Sequence, residues 1–259
     1  MQRIKRQLAL AYVLVIAAYI VLASSFYWLG FRPIYEQLKV RHNAEIGYAM
    51  DAAHGLVSAV LNRHLGLARQ TASRSAIRDQ QASYLAGEID LAALRTFSIG
   101  KLKDAVQADP EIVGIRRHDP LGNALFEIGQ VPRIPTPEDC ASSVHDETSF
   151  EGLVDAFEPR LLVYCSPIDA VETGRVGFDL LLIDASGLQA IFDNPRYHNL
   201  ASIAFGMSDQ RGSILFWPTV SEVEERRDML QQHLSDQQSL PEGYRLESRA
   251  LNSTTLTLH

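Results

Sequence analysis

Ile112-Val-Gly-Ile-Arg-Arg-His118-Asp-Pro-Leu-Gly122-Asn-Ala-Leu-Phe-Glu-Ile-Gly129 is the run on which the fold turns. Ile112, Val113 and Ile115 make its first half strand-like. Aspartate first, proline second and glycine fourth in Asp119–Gly122 is the chemistry of a type I turn. The apolar texture then returns from Asn123 to Gly129, so the run reads as a β-hairpin. Ninety residues on, Asp209-Gln-Arg-Gly212-Ser-Ile-Leu215-Phe216 repeats Asp119-Pro-Leu-Gly122-Asn-Ala-Leu125-Phe126. Two such hairpins, at Glu111–Gly129 and Ser202–Trp217, suggest two related sheet units in tandem; chance likeness between hairpins is the competing reading.

Between the hairpins, Val131–Ser149 is loop-rich, with Pro132, Pro135 and Pro137. Arg160–Ile168 and Arg175–Asp184 read as strands, apolar enough to be buried on both faces. A short helix follows from Ser186 to about Phe192, with Ser186 as its N-cap. After the second hairpin, Ser221 to about Gln238 is polar and helical. Tyr244–Leu251 and Thr254–Leu258 read as strands. The chain reaches His259 in strand texture, which suggests part of a longer gene product.

Upstream of the first hairpin, Pro33 to about Ser83 reads as one long helix. Ile46, Ala49, Met50, Ala53, Leu56, Val57, Val60, Leu61, Leu65 and Ala68 recur at three-and-four spacing and make one apolar face. That face needs a cover: its own domain, a second copy in a homodimer through residues 33–83, or both. Leu91–Ala108 is a second helix, closed by Asp109-Pro110 because the residue before proline is pushed out of the helical region.

The N-terminal stretch Leu8–Phe31 carries no charge. As a helix of about 1.5 Å per residue it spans roughly 36 Å, enough for a hydrocarbon core of about 30 Å. It is longer than the apolar core of a cleaved signal peptide, and it lacks the polar face of a buried soluble helix. Arg3, Lys5 and Arg6 precede it, which places residues 1–7 in the cytoplasm and 32–259 outside. The expected localisation is thus a bacterial inner membrane with a periplasmic domain. The whole chain of 259 residues has a net charge of −7, and three of its positive charges precede the span, leaving −10 beyond it. Such an acidic exterior argues against nucleic-acid binding.

Cys140 and Cys165 are the two cysteines. In an oxidising compartment they are expected either to pair as a disulfide or to pack as two buried thiols. No phosphate loop, dinucleotide turn, zinc-helix motif or nucleophile elbow occurs, so no enzyme, metal or cofactor is expected. Scattered His42, His54 and His64 read as surface or seam residues. For ligand binding, Arg116 and His118 share a strand face, and arginine holds carboxylates with a bidentate fork. Tyr164 could supply an aromatic wall with a hydroxyl. Asp179 lies in an apolar strand, where an unpaired carboxylate is expensive to bury; it needs a ligand, water, or an arginine such as Arg116.

Span, long helix and antiparallel hairpins together resemble the extracytoplasmic Cache (PAS-like) sensor domains of bacterial receptors. The residues that carry the likeness are Ile112-Val-Gly-Ile115 leading to Asp119-x-x-Gly122, Val163-Tyr-Cys-Ser-Pro167, and Gly174-Arg-Val-Gly177-Phe-Asp179. The hairpin at Asp209 resembles the opening of the membrane-proximal module in double-Cache proteins. The resemblance implies an α+β fold. Its parts are a transmembrane helix (8–31), helices of stalk and sensor (32–110), a distal sheet module (111–194) and a smaller proximal module (195–259). It also implies that a small molecule binds the distal module and that the long helix conveys the change to a cytoplasmic kinase, cyclase or chemoreceptor output absent from these residues. In amino-acid-binding members, the carboxylate at the position of Asp179 holds the ligand amine. Trp28 and Trp217 lie outside the region where those members carry an aromatic cluster, so the ligand class stays open. An envelope assembly protein with a protein-binding exterior domain is the alternative.

Overall fold

The computed structural model describes residues 2–134, 140, 147–171, 174–194, 204–219, 224–236, 240, 246, 248–251 and 256–259. The chain divides into two compact units, Met1–Asp51 and Ala52–His259. The first unit is helical throughout its described residues. It contains α1 (Gln2–Phe26), a π-helical turn (Tyr27–Phe31) and the start of α2 (Arg32–Ala72). By length and composition, one helix from Tyr12 onward is apolar enough to cross a membrane.

The second unit begins within α2 and continues through α3 (Ser75–Leu85) and α4 (Leu91–Ala108). The Asp90 carboxylate caps α4 by accepting from Ala93 N–H at 2.8 Å, satisfying a donor the helix itself cannot. Five strands follow: β1 (Ile112–His118), β2 (Ala124–Gly129), β3 (Ser149–Val154), β4 (Leu161–Ala170) and β5 (Gly174–Asp184). They form one antiparallel sheet in the order β2-β1-β5-β4-β3. After α5 (Ser186–Phe192), a second sheet has the order β7-β6-β9-β8, with β6 (Met207–Ser208), β7 (Ile214–Phe216), β8 (Arg249–Ala250) and β9 (Thr257–Leu258). Helix α6 (Glu224–Asp236) joins the two halves of this sheet in sequence.

The two turns that look alike in sequence share the same bonds from backbone N–H groups. Asp119 Oδ1 accepts from the N–H groups of Leu121 and Asn123, and Asp209 Oδ1 from those of Arg211 and Ser213. Gly122 and Gly212 each donate to the carbonyl of their own aspartate at 3.1 Å. Both adopt positive φ, 87° and 78°, which explains why glycine ends each turn.

Three expectations change. The long helix stops at Ala72 rather than near Ser83. Arg74 is extended, and α3 starts afresh at Ser75. The break lets Ala72 pack with Ile168 and Val176, and it brings the Gln81 amide to the carbonyls of His118 (3.0 Å) and Val176 (2.7 Å). Gly177 makes room for that clamp: a Cβ there would collide with the His118 carbonyl and the Gln81 amide. Ser186 is not the cap of α5. Ala185 holds the N-cap position without a side-chain bond, and Asp184 Oδ1 instead accepts from Ser186 N–H. Strand β3 was not anticipated at all; it adds an edge beside β4.

Alternation along the strands gives the five-stranded sheet two different faces. Ile115, Arg117, Tyr164, Ser166, Asp179 and Leu181 share one by register. Arg116, His118, Cys165, Phe178 and Leu180 share the other. On α2, the buried residues Ala53, Val57, Leu61, Leu65 and Ala68 follow the predicted stripe and Ala72 extends it, but Leu56 is exposed.

Candidate functional site

Asp179 is fully buried, and its partner is Arg117, not Arg116. The β1–β5 register sets Arg117 directly opposite Asp179, whereas Arg116 lies opposite Leu180 on the other face. Arg117 Nε donates to Oδ1 at 2.7 Å and Nη2 to Oδ2 at 2.6 Å, a bidentate pair. Nη2 also reaches the carbonyl of Thr71 near the end of α2, at 3.3 Å. Nη1 makes no hydrogen bond among the described residues.

Seven residues back along α2 from Thr71, His64 makes a second link to the same face. Its Nδ1 lies 3.2 Å from the Tyr164 hydroxyl and its Nε2 3.0 Å from Glu111 Oε2, which Arg63 also engages. His64 is therefore a core residue rather than a surface or seam one; it is 1% exposed. Burial, helped by the Arg63 charge, lowers its pKa to about 4. Burial also pushes the Tyr164 hydroxyl well above its ordinary value.

Arg116 spends its donors on the opposite face. Nε meets Glu127 at 2.6 Å, Nη1 the Ile134 carbonyl at 3.0 Å, and Nη2 the Pro132 carbonyl at 2.7 Å. His118 stacks on Phe178, with ring centroids 4.6 Å apart. Its pKa is lowered to about 4, first by burial and then by Arg116. Cys140 and Cys165 are joined as a disulfide, with Cα atoms 5.9 Å apart, among Val163, Phe178, Leu180 and Leu182. A Glu151 oxygen lies within 4.8 Å of the sulfurs, but sulfurs bonded to each other offer a metal no thiolate pair. The four residues singled out in sequence thus divide between two faces. Tyr164 and Asp179 face the helices, and Arg116 and His118 face away from them.

A cleft of about 380 Å³ opens where α2 ends, α3 begins and β4 passes. Arg69, Arg78, Glu147, Thr148, Ser166 and Asp169 line it. Asp169 pairs with Arg175 at 2.7 Å, and Thr148 shares a hydrogen bond with Ser166 at 2.7 Å. Arg69 and Glu147 make no ion pair among the described residues, so a free cation and a free anion flank the same opening. The cleft adjoins the buried pair: Ser166 is opposite Asp179 in register, and Thr71, whose carbonyl Arg117 holds, precedes Ala72 in the lining. Sequence reasoning missed Arg117 and the cleft. The strand alternation carried the first signal, since Arg117 shares a face with Ile115. The second depends on where α2 breaks.

No family model matches the chain, and no curated protein does. Solved structures do. The extracellular domain of the histidine kinase designated vpHK1S-Z8 aligns with 85% of this chain and 94% of its own, at 13% identity and a TM-score of 0.56. The sensor domain of the histidine kinase DctB of Vibrio cholerae aligns with 86% and 96%, at 14% identity and 0.51. The ligand-binding domain of the Pseudomonas aeruginosa PAO1 amino-acid chemoreceptor PctC, in complex with GABA, aligns with 83% and 96%, at 11% identity and 0.52. The fold is that of Cache-like extracellular sensor domains, a mixed α+β architecture that follows a long apolar helix in sequence.

Two outcomes follow. Asp179→Ala leaves Arg117 charged and buried, and should destabilise the fold by about 3–5 kcal/mol in chemical denaturation; replacing both residues by leucine and methionine should recover most of the loss. The histidine shifts set a pH response. His64 and His118 titrate near 4 when folded and near 6.5 when unfolded, so below 6.5 the unfolded chain binds more protons. Stability should be full above pH 6.5 and fall progressively as pH drops toward 4; thermal unfolding across that window checks it, and His64→Asn should flatten the slope.

Proposed function

We propose that this chain is the ligand-sensing portion of a membrane signal receptor. Residues 111–194 form its sensing module, 195–259 a second module, and residues 32–259 lie outside the inner membrane. The observation that carries the reading is the cleft at the end of α2. There Arg69 and Glu147, neither in an ion pair among the described residues, flank hydroxyl groups, in a fold of the sensor class. Arg69 with Arg78 would hold a carboxylate, and Glu147 an ammonium group. The ligand class that suits this lining is a small zwitterion, such as an amino acid. Arg117 and Asp179 act beneath it by fixing β1, β5 and the Thr71 carbonyl. Tyr164 acts through His64. Arg116 and His118 hold the cover of the opposite face.

Occupation would draw the end of α2 toward β4, and α2 continues without interruption back to Arg32. That continuity supports a helix-borne signal to a cytoplasmic output. Exposed Ile34, Tyr35, Leu38 and Val40 on α2 suit a second copy of the chain or lipid as cover.

A ligand that binds only the native state raises stability by RT ln(1 + [L]/Kd), about 2.7 kcal/mol at a hundred times Kd. Thermal unfolding of the full chain in detergent, against amino acids, short carboxylates and amines, should reveal zwitterions that raise the midpoint. Arg69→Ala should abolish the rise. If no member of the panel shifts the midpoint, the reading fails.

A further inference from the structure

A second cleft, of about 410 Å³, lies at the joint between the two sheets. Its size falls at the lower end of ordinary ligand pockets, about 300–1,000 Å³. Arg160 builds the joint. From the residue before β4 it donates Nε to Asp155 at 2.6 Å and Nη2 to the Leu215 carbonyl of β7 at 2.7 Å. Its guanidinium carbon also sits 5.1 Å from the Phe216 ring centroid. A second strut runs from α5, where Gln189 Nε2 donates to the Trp217 carbonyl at 2.9 Å. Every one of these residues except Phe216 lines the cleft.

Among the described residues of the lining, Arg160 and Arg227 outnumber the single carboxylate, Asp155. Asp155 neutralises Arg160, but Arg227 of α6 is exposed and makes no ion pair among the described residues. Asp193, in an adjoining hollow, is oriented by neutral donors: its Oδ1 accepts from Thr219 N–H, the Thr219 hydroxyl and Gln189. The rest of the lining includes the apolar Ile214, Trp217 and Pro218. The Trp217 ring is seated against Gly206, where a Cβ would strike it. A fixed indole beside a guanidinium that has no ion pair among the described residues suits a flat apolar body bearing one negative group.

We propose that this joint is a second ligand site, distinct from the cleft at the end of α2, and that it takes small aromatic anions. Carboxylates, sulfonates and phosphate monoesters share the required chemistry. Because the joint connects the two sheets, an occupant would stiffen their connection independently of the first cleft. The inference does not require the first cleft to bind anything.

Trp28 and Trp217 are the only tryptophans, so Trp28→Phe leaves Trp217 as sole reporter. In that full-length background in detergent, benzoate, benzenesulfonate and phenyl phosphate are titrated against Trp217 fluorescence, with benzylamine as the cationic control. At least one of the three anions should change the emission saturably, and benzylamine should not. Arg227→Glu should weaken that binding about tenfold or more, Arg227→Lys should keep most of it, and Arg69→Glu should leave it unchanged. The thermal midpoint of each variant confirms that it is folded. Saturable binding by none of the three anions, equal binding of benzylamine, or an Arg227→Glu protein that binds as tightly as its parent would overturn the proposal. Loss of binding in Arg69→Glu would also overturn it, by moving the ligand to the first cleft.

Discussion

A guanidinium and a carboxylate, both sealed from solvent, sit between the central strands of the five-stranded sheet. Desolvating Arg117 and Asp179 costs several kcal/mol per ion, and the cost is offset only while the two-bond geometry holds. A one-residue slip of either strand would turn its member of the pair to the opposite face and part the two charges. The pair therefore constrains β1 against β5, and through the Thr71 carbonyl it constrains the end of α2 as well. Sheet register and helix position become one condition.

Helix α2 touches the rest of the second unit at points spread along its length. His54 Nε2 lies 3.1 Å from the Ala250 carbonyl of β8, His64 meets Tyr164 of β4, and Thr71 meets Arg117 of β1. The same helix thus contacts both sheets. An event at either sheet has a polar contact on α2 to act through, and these contacts differ in kind. The His64 link is buried and neutral near physiological pH, whereas the His54 contact is exposed.

Much of this was legible in the chain. Turn chemistry located both hairpins, because an aspartate and a glycine at fixed offsets have few other uses. Alternation and apolar runs located β1, β4 and β5. The stripe on α2 gave its buried face, and Asp179 announced itself as a carboxylate that needed a partner. Which arginine answered it was decided by register, a long-range property that neighbouring Arg116 and Arg117 do not advertise. His64 looked ordinary for the same reason: Tyr164 and Glu111 are 100 and 47 residues away. The stop at Ala72 escaped because no proline or glycine marks it; the packing of Ala72 and the reach of Gln81 favour it instead. Since the first cleft exists only because α2 breaks there, the most informative opening was invisible to local reasoning.

The proposed ligand at the end of α2 has to be felt by that helix. Hydrogen exchange on the full chain, with and without a zwitterion that raises the thermal midpoint, tests it most directly. Amides of residues 68–78 should gain protection, with a smaller gain around Ser166–Asp169. Protection confined to residues 124–134, on the Arg116 side of the sheet, with residues 68–78 unchanged, would contradict it.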